Sequence, residues 1–178
     1  MITLRVGTAN DVALIARLHA NSWKTHYRGI MSDEYLDSNI EAERLAVWTE
    51  RFASLNPKQY VVIMEMDGQP CGFACTFAEK DEKYGNLLDN LHIVTYLQGK
   101  GLGMQLIQAT AKWSHDNYPN LPFYLWVYEQ NQSALQFYKN LGGQQYETKI
   151  ETNPDGSQAS IIRIVWQDVK ALVEFSRN

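Results

Sequence analysis

The stretch Gln98-Gly99-Lys100-Gly101-Leu102-Gly103 constrains this chain more than any other. An apolar run, Leu87 to Leu97, precedes it, and an amphipathic segment, Leu102 to Asn117, follows. The order strand, glycine-rich turn, helix start builds a cradle for an anion. Glycine carries no side chain, so its backbone can approach a ligand closely. The free N–H groups of a first helical turn point at that ligand, and the helix dipole adds roughly half a positive charge. Lys100 supplies a full charge nearby. The glycines fall at 99, 101 and 103. That fits neither the Lys-Ser/Thr ending of a nucleotide P-loop nor the G-x-G-x-x-G spacing of a dinucleotide site. Read alone, the loop is either a phosphate cradle or a plain glycine-rich turn.

The periodicities on either side predict a mixed α/β arrangement. Residues 2–7 alternate as a strand. Thr8-Ala9-Asn10-Asp11 has the form of a capping box, with Val12, Ile15, Leu18 and His19 following at helical spacing. The pattern loosens from Ser22 to Ile30. A second helical region spans Ser32 to Leu55, split near Asp37-Ser38-Asn39, and Asn56-Pro57 ends it. Gln59–Met66 and Cys71–Ala78 form a hairpin around Asp67-Gly68. A charged loop, 79–85, leads to a strand over 86–95. After the glycine loop come a helix over 102–117, a strand over 122–128 and a helix over 132–140. Two strands, 144–152 and 158–167, flank Asn153-Pro154-Asp155-Gly156. No repeat or linker divides the chain, so residues 1–178 are expected to form a single domain, long enough to bury a core.

Several function classes are disfavoured. No apolar run approaches the ~20 residues of a membrane span. Met1-Ile2-Thr3-Leu4-Arg5-Val6 alternates like a strand and does not read as a signal peptide. A net charge of −4 argues against a general nucleic-acid binder. Cys71 and Cys75 on one strand stand ~13 Å apart, too far for a disulfide, which needs Cα atoms within ~7 Å. Their spacing matches no common zinc motif, and His19, His26, His92 and His115 form no ligand cluster. No metal is expected, and the cysteines suit a reducing compartment.

Two motifs in order carry a resemblance. Gln98-x-x-Gly101-x-Gly103 after a strand resembles the coenzyme A loop of the GCN5-related N-acetyltransferase (GNAT) family. Asn131, Ala134, Phe137-Tyr138 and Gly142 resemble that family's N-x-x-A-x-x-F-Y-x-x-x-G segment. The motif-level resemblance spans residues 86–143, and the element order β-α-α-β-β-β-α-β-α-β-β fits the family along the chain. It implies a single-domain GNAT-like α/β fold with a mixed central sheet. A splay between the fourth and fifth strands (a β4–β5 splay) would admit acetyl-CoA. Gln98, Gly99, Lys100, Gly101, Leu102, Gly103 and Met104 would receive the pyrophosphate. The strand end Ile93, Val94 and Thr95 would pair with the pantetheine arm. Thr95 departs from the proline often found there. Asn131 resembles the family asparagine near that arm, and it is equally a helix-capping residue.

The implied reaction moves an acetyl group from a thioester to an amine. An alkylamine with a pKa near ~10.4 must lose a proton before attacking, at a cost of roughly 4–5 kcal/mol at pH 7. By alternation Leu87, Asp89 and Leu91 share one face of the fourth strand. The family often carries a glutamate or histidine on that face. Leu87 cannot act, so Asp89 is the base candidate, directly or through water. An ordinary hydrogen-bonded aspartate is the competing reading. The same alternation turns His92 to the opposite face, as a structural residue. Tyr138 matches the family tyrosine near the leaving sulfur, where a phenol can donate; packing beside Phe137 is the alternative. Gly143 stands where the family usually has an aromatic residue, which predicts a looser strand start. Trp23, His26, Tyr27 and Arg28 lie where the family builds part of its acceptor wall, and an aromatic cluster can hold an amine by cation–π attraction. Core packing is the other reading of these aromatics, as of Tyr84, Trp126 and Tyr128.

The resemblance thus implies a cytoplasmic, acetyl-CoA-dependent N-acetyltransferase. Its acceptor is the primary amine of a small molecule or peptide. Transfer is direct in a ternary complex, because Cys71 and Cys75 lie on an earlier strand. Neither nucleic acid nor membrane is an expected partner, and homodimers are frequent in the family. A coenzyme A-binding sensor or interaction module without catalysis is the alternative.

Overall fold

The computed structural model describes residues 1–54 and 56–176. Chain order runs β1 (Ile2–Val6), α1 (Val12–His26), α2 (Asp33–Ser38), α3 (Ile40–Ala53), β2 (Gln59–Met66), β3 (Gln69–Asp81) and β4 (Gly85–Ile93). Then follow α4 (Leu102–Asn117), β5 (Phe123–Tyr128), α5 (Gln132–Asn140), β6 (Gln144–Thr152), β7 (Gln158–Trp166) and α6 (Val169–Val173). Single 3-10 turns occupy Ala9–Asp11 and Thr95–Leu97. The seven strands form one mixed sheet in the order β1-β2-β3-β4-β5-β7-β6.

Local chemistry accounts for the turns. Asp11 accepts from the Thr8 N–H at 2.8 Å and the Thr8 hydroxyl at 2.9 Å, and Arg5 clamps both of its oxygens. Asp67 and Gly68 both adopt positive φ, 52° and 77°, as a two-residue hairpin between right-twisted strands requires. The split of the second helical region falls at Asn39, between α2 and α3. Its expected end at Leu55 lies outside the described residues.

The sheet carries helices on both faces. On one, α1 and α3 bury Ile15, Ala16 and Trp48 against Val61, Ile63, Phe73 and Cys75. On the other, Leu106, Ile107 and Ala111 of α4 pack on Val62, Ala74, Leu125 and Ile164. Leu172 of α6 belongs to the same cluster. All neighbouring strands are antiparallel except β4 and β5. That parallel pair meets only at Asn86↔Phe123 and Leu87↔Tyr124. Beyond Leu87 the two strands part, which is the β4–β5 splay.

Four departures from the sequence reading have physical causes. First, α1 continues through His26 rather than loosening at Ser22; Trp23, His26 and Tyr27 line a cavity, and Trp23 and Tyr27 also pack on Ile30, Met31 and Leu36, so apolar periodicity fades while the helix does not. Second, β3 extends to Asp81 through the expected charged loop, because Arg163 of β7 bonds that carboxylate at 2.9 Å. Third, β4 ends at Ile93, and the Gln98 side chain donates to the Ile93 carbonyl at 3.0 Å while a 3-10 turn begins. Fourth, the start of β6 is tight, not loose. A Cβ on Gly143 would stand 2.4 Å from Ile164 and 2.7 Å from Trp166. The Trp166 indole fills the space and donates to the Leu141 carbonyl at 2.9 Å.

Candidate active site

The splay opens into a cavity of about 500 Å³ between β4, β5, α1, α4 and α5. Its floor is set by a β-bulge. Cys75 of β3 faces Asn90 and Thr76 faces Leu88, so Asp89 has no partner across the ladder. A bulge breaks the two-residue alternation. Asp89 and Asn90 consequently both reach Arg51 of α3, at 2.8 Å and 3.0 Å. His92 also turns to the α1 side, where its Nδ1 lies 2.7 Å from the Ser22 hydroxyl. This corrects the expectation that His92 faces away from Asp89. Both line the cavity.

Behind the floor lies a buried polar cluster that periodicity does not reveal. Trp48 donates to His19 Nδ1 at 3.0 Å. Indole nitrogen is only a donor, so Nδ1 accepts, while the Asn90 amide nitrogen lies 3.4 Å from Nε2. The His19 and His92 rings lie 4.9 Å apart. Burial holds His19 well below the usual histidine range. Burial, with a further push from His26, brings His92 down to about 3. Two imidazoles this close stay neutral because neither charged form can be solvated.

The glycine loop forms the second wall. Gly99 and Gly101 adopt φ of 78° and 81°, a region that side chains with a Cβ disfavour. The first amide of α4 to find a helical carbonyl is Gln105, on Gly101 at 3.3 Å. The N–H groups of Leu102, Gly103 and Met104 precede it and remain for a ligand. Gly99, Gly101, Gly103 and Met104 line the cavity; Leu102 buries its side chain in the core and offers only its backbone. Lys100 is exposed beside the loop. Gln98 lines the cavity, yet its amide braces the Ile93 carbonyl and His26 Nε2, both at 3.0 Å.

The strand edge differs from the expected one. The Val94 N–H donates to the Cys71 carbonyl at 2.9 Å, toward β3, and Thr95 opens the 3-10 turn. Strand alternation then turns the backbone of Leu91 and Ile93 to the open splay. Opposite, Asn131 caps α5 by accepting from Ala134 N–H at 3.2 Å. Its Oδ1 is thereby occupied, and its amide N–H₂ is the group left to offer the cavity it lines. Tyr138 projects from α5 into the same space, between Phe137 and Trp166. Burial pushes its phenol above the usual tyrosine range.

Trp23, Tyr27 and Tyr128 meet in series, tilted and then edge-on, with ring centroids 5.2 Å and 4.9 Å apart, and Trp126 extends the wall. Tyr27 is close enough to Asp89, Tyr128 and Tyr138 for all three to raise its pKa, after burial itself. Arg28 does not join them. It points outward to Asp33 and Asp37 and donates to the Lys24 carbonyl at 3.0 Å. Its expected place in the acceptor wall is therefore corrected: it ties the end of α1 to α2. Tyr84 lies elsewhere, packed with Tyr124 and Val165.

Residues 21–142 match the model of the Acetyltransferase (GNAT) family. The chain belongs to the GNAT family. A curated relative, "uncharacterized N-acetyltransferase YuaI" of Bacillus subtilis, is 27% identical over 176 residues, covering 97% of this chain and 96% of its own. Among solved structures, the PaiA N-acetyltransferase of Thermoplasma acidophilum in complex with coenzyme A superposes with a TM-score of 0.65 at 22% identity. That match covers 92% of this chain and 98% of PaiA. YncA of Salmonella typhimurium, described as an acetyltransferase with its cofactor acetyl-CoA, gives 0.67 at 18% identity over 100% and 97% of the two chains. The matched GNAT segment contains β4, the glycine loop, α4, β5, α5 and the last part of α1, which enclose the cavity. The bulge, Arg51 and His19 are features of the candidate site that the sequence reading missed. The pair Asn90 and Arg51, both polar among core positions, was the available signal. Among the described residues no helix is long and apolar enough to cross a membrane.

Proposed function

We propose that residues 1–178 form one cytoplasmic N-acetyltransferase domain that moves the acetyl group of acetyl-CoA directly to a primary amine of a small molecule or peptide. The observation that carries this reading is the free edge of the splay meeting the free amides of α4 in one cavity. The coenzyme A complex of PaiA and the acetyl-CoA complex of YncA support the choice of ligand.

The residues divide by chemistry. Gly99 to Met104 present backbone donors to the pyrophosphate at a helix N-terminus. The open edge at Leu91 and Ile93 pairs with the extended pantetheine amides, and Asn131 donates from the other side. Asp89 accepts a hydrogen bond from the incoming amine and orients its lone pair toward the thioester carbonyl. The amine proton leaves through water, because a carboxylate is too weak a base to hold it against a pKa near ~10.4. Tyr138 hydrogen-bonds the departing sulfur. No cysteine intermediate is invoked: Cys75 is buried, and burial pushes its thiol above the usual range, away from the reactive thiolate.

Gly101→Glu tests the assignment. It places a Cβ at φ 81° and a negative charge at the phosphate cradle. Calorimetry on the folded variant is expected to show acetyl-CoA binding abolished. Unchanged affinity would remove the cofactor from this loop and the function with it.

A further inference from the structure

The acceptor side of the cavity has a charge balance of its own. Asp89 is the only carboxylate lining the cavity among the described residues, and Arg51 already meets its charge at 2.8 Å. Behind the wall Arg44 lies 4.3 Å over Trp23 and pairs with Glu43. Burial holds both lining histidines, His26 and His92, below their usual range. The carboxylates that act on Tyr128 are engaged as well. Glu151 pairs with Lys149 at 2.9 Å, and Asp155 accepts from the Ser32 N–H at 2.7 Å. Arg51 holds Asp89 Oδ2, so Asp89 Oδ1 is left to accept from one amine, and among the described residues no other lining carboxylate meets a second.

Apolar surface, in contrast, is abundant. The contiguous series Trp23, Tyr27, Tyr128 forms one wall and Trp126 another. Arg163 and Lys149 already lie 4.5 Å and 4.7 Å from the Trp126 ring. That ring has its cations, and what it adds to the chamber is flat apolar area. Aromatic bodies gain from offset or edge-on contact with such walls. A second desolvated ammonium loses its hydration without an ion to replace it.

Resting on the N-acetyltransferase reading, we infer that the acceptor is a monoamine borne on a flat apolar body, an arylalkylamine in chemical class. Polyamines and polycationic peptides are disfavoured, since their several charges find a single carboxylate among the described lining residues.

The test uses the full chain saturated with coenzyme A, titrated calorimetrically with 2-phenylethylamine, n-butylamine and spermidine. Phenylethylamine is expected to bind ~10-fold more tightly than butylamine, the upper end of an aromatic pair's worth. Spermidine is expected to bind no more tightly than butylamine. In Trp126→Leu the advantage of phenylethylamine over butylamine should shrink to ~3-fold or less. Spermidine binding more tightly than phenylethylamine, or no phenylethylamine binding, overturns the inference. The wild-type order decides even where Trp126→Leu does not fold. Thiol release from acetyl-CoA separates this inference from the reading beneath it. Turnover of spermidine alone overturns the acceptor class and leaves acetyl transfer standing. Phenylethylamine that binds as expected but releases no thiol supports the class and sinks acetyl transfer.

Discussion

Burial decides what Tyr138 can do. Its hydroxyl, raised above the usual phenol range, stays protonated at every physiological pH. An ordinary thiol has a pKa near ~8.5, so complete proton transfer from this phenol to a departing thiolate runs uphill. A strong hydrogen bond is what the residue can supply. Tyr138→Phe removes that donor and leaves the ring between Phe137 and Trp166. Turnover is expected to fall ~10²-fold, with acetyl-CoA affinity and melting temperature nearly unchanged; wild-type turnover in the chemistry-limited range would leave the residue a packing role only. Arg28 shows the limit of reading residues singly. Its nearness to Trp23 and Tyr27 in sequence suggested a shared wall. The helix turns it away, and the two aspartates that claim it lie beyond Gly29, where the chain reverses.

The element that most resisted reading is β4. Its start and its apolar character are visible in sequence, but it ends at Ile93 and not at 95, and one unpaired residue changes which side chains share a face. Leu88-Asp89-Asn90 does not by itself fix a bulge; its mark is in space, where Asp89 and Asn90 both reach the Arg51 guanidinium on α3. The lengths of α4 and α5 were legible because glycine, asparagine and apolar spacing mark them locally. The short α6 was not, since its five residues hold only Val169 and Leu172 against the core. Asp89→Asn tests the role the bulge gives that side chain. The variant keeps the shape and loses the charge opposite Arg51. If Asp89 assists removal of the amine proton, kcat/KM drops most at low pH, where the acceptor is most protonated, and the deficit narrows as pH rises. A deficit equal at all pH values, together with a lowered melting temperature, would make Asp89 a structural partner of Arg51. The stability change expected from the pair itself is about 1 kcal/mol or less.

Across the whole molecule, the paired neutral histidines set a pH limit. His19 and His92 titrate near 6.5 when unfolded and far lower when folded. Their contribution is therefore complete above pH 6.5 and is lost as pH falls, because the unfolded chain gains protons that the native state refuses. Each histidine removes roughly 1.4 kcal/mol per pH unit in that window, and His26 acts in the same direction. Asp11, lowered to about 2 by its hydrogen bonds from Arg5, does not titrate in this range. Urea unfolding at pH 7.5, 6 and 5 should show the midpoint falling below pH 6.5. A midpoint constant from 7.5 to 5 would mean that the histidines charge freely in the native state. The strand and helix order of the entire sheet could be read in advance, since each segment announces itself locally. The depth of the splay could not, because it depends on how far β4 and β5 stay paired in space. Two rungs join the halves of this sheet. On the acyl-transfer reading, the thread of amides lying in that gap is a borrowed strand. The protein is then sewn shut only while loaded, and each round of release and reloading opens and closes a seam through its middle.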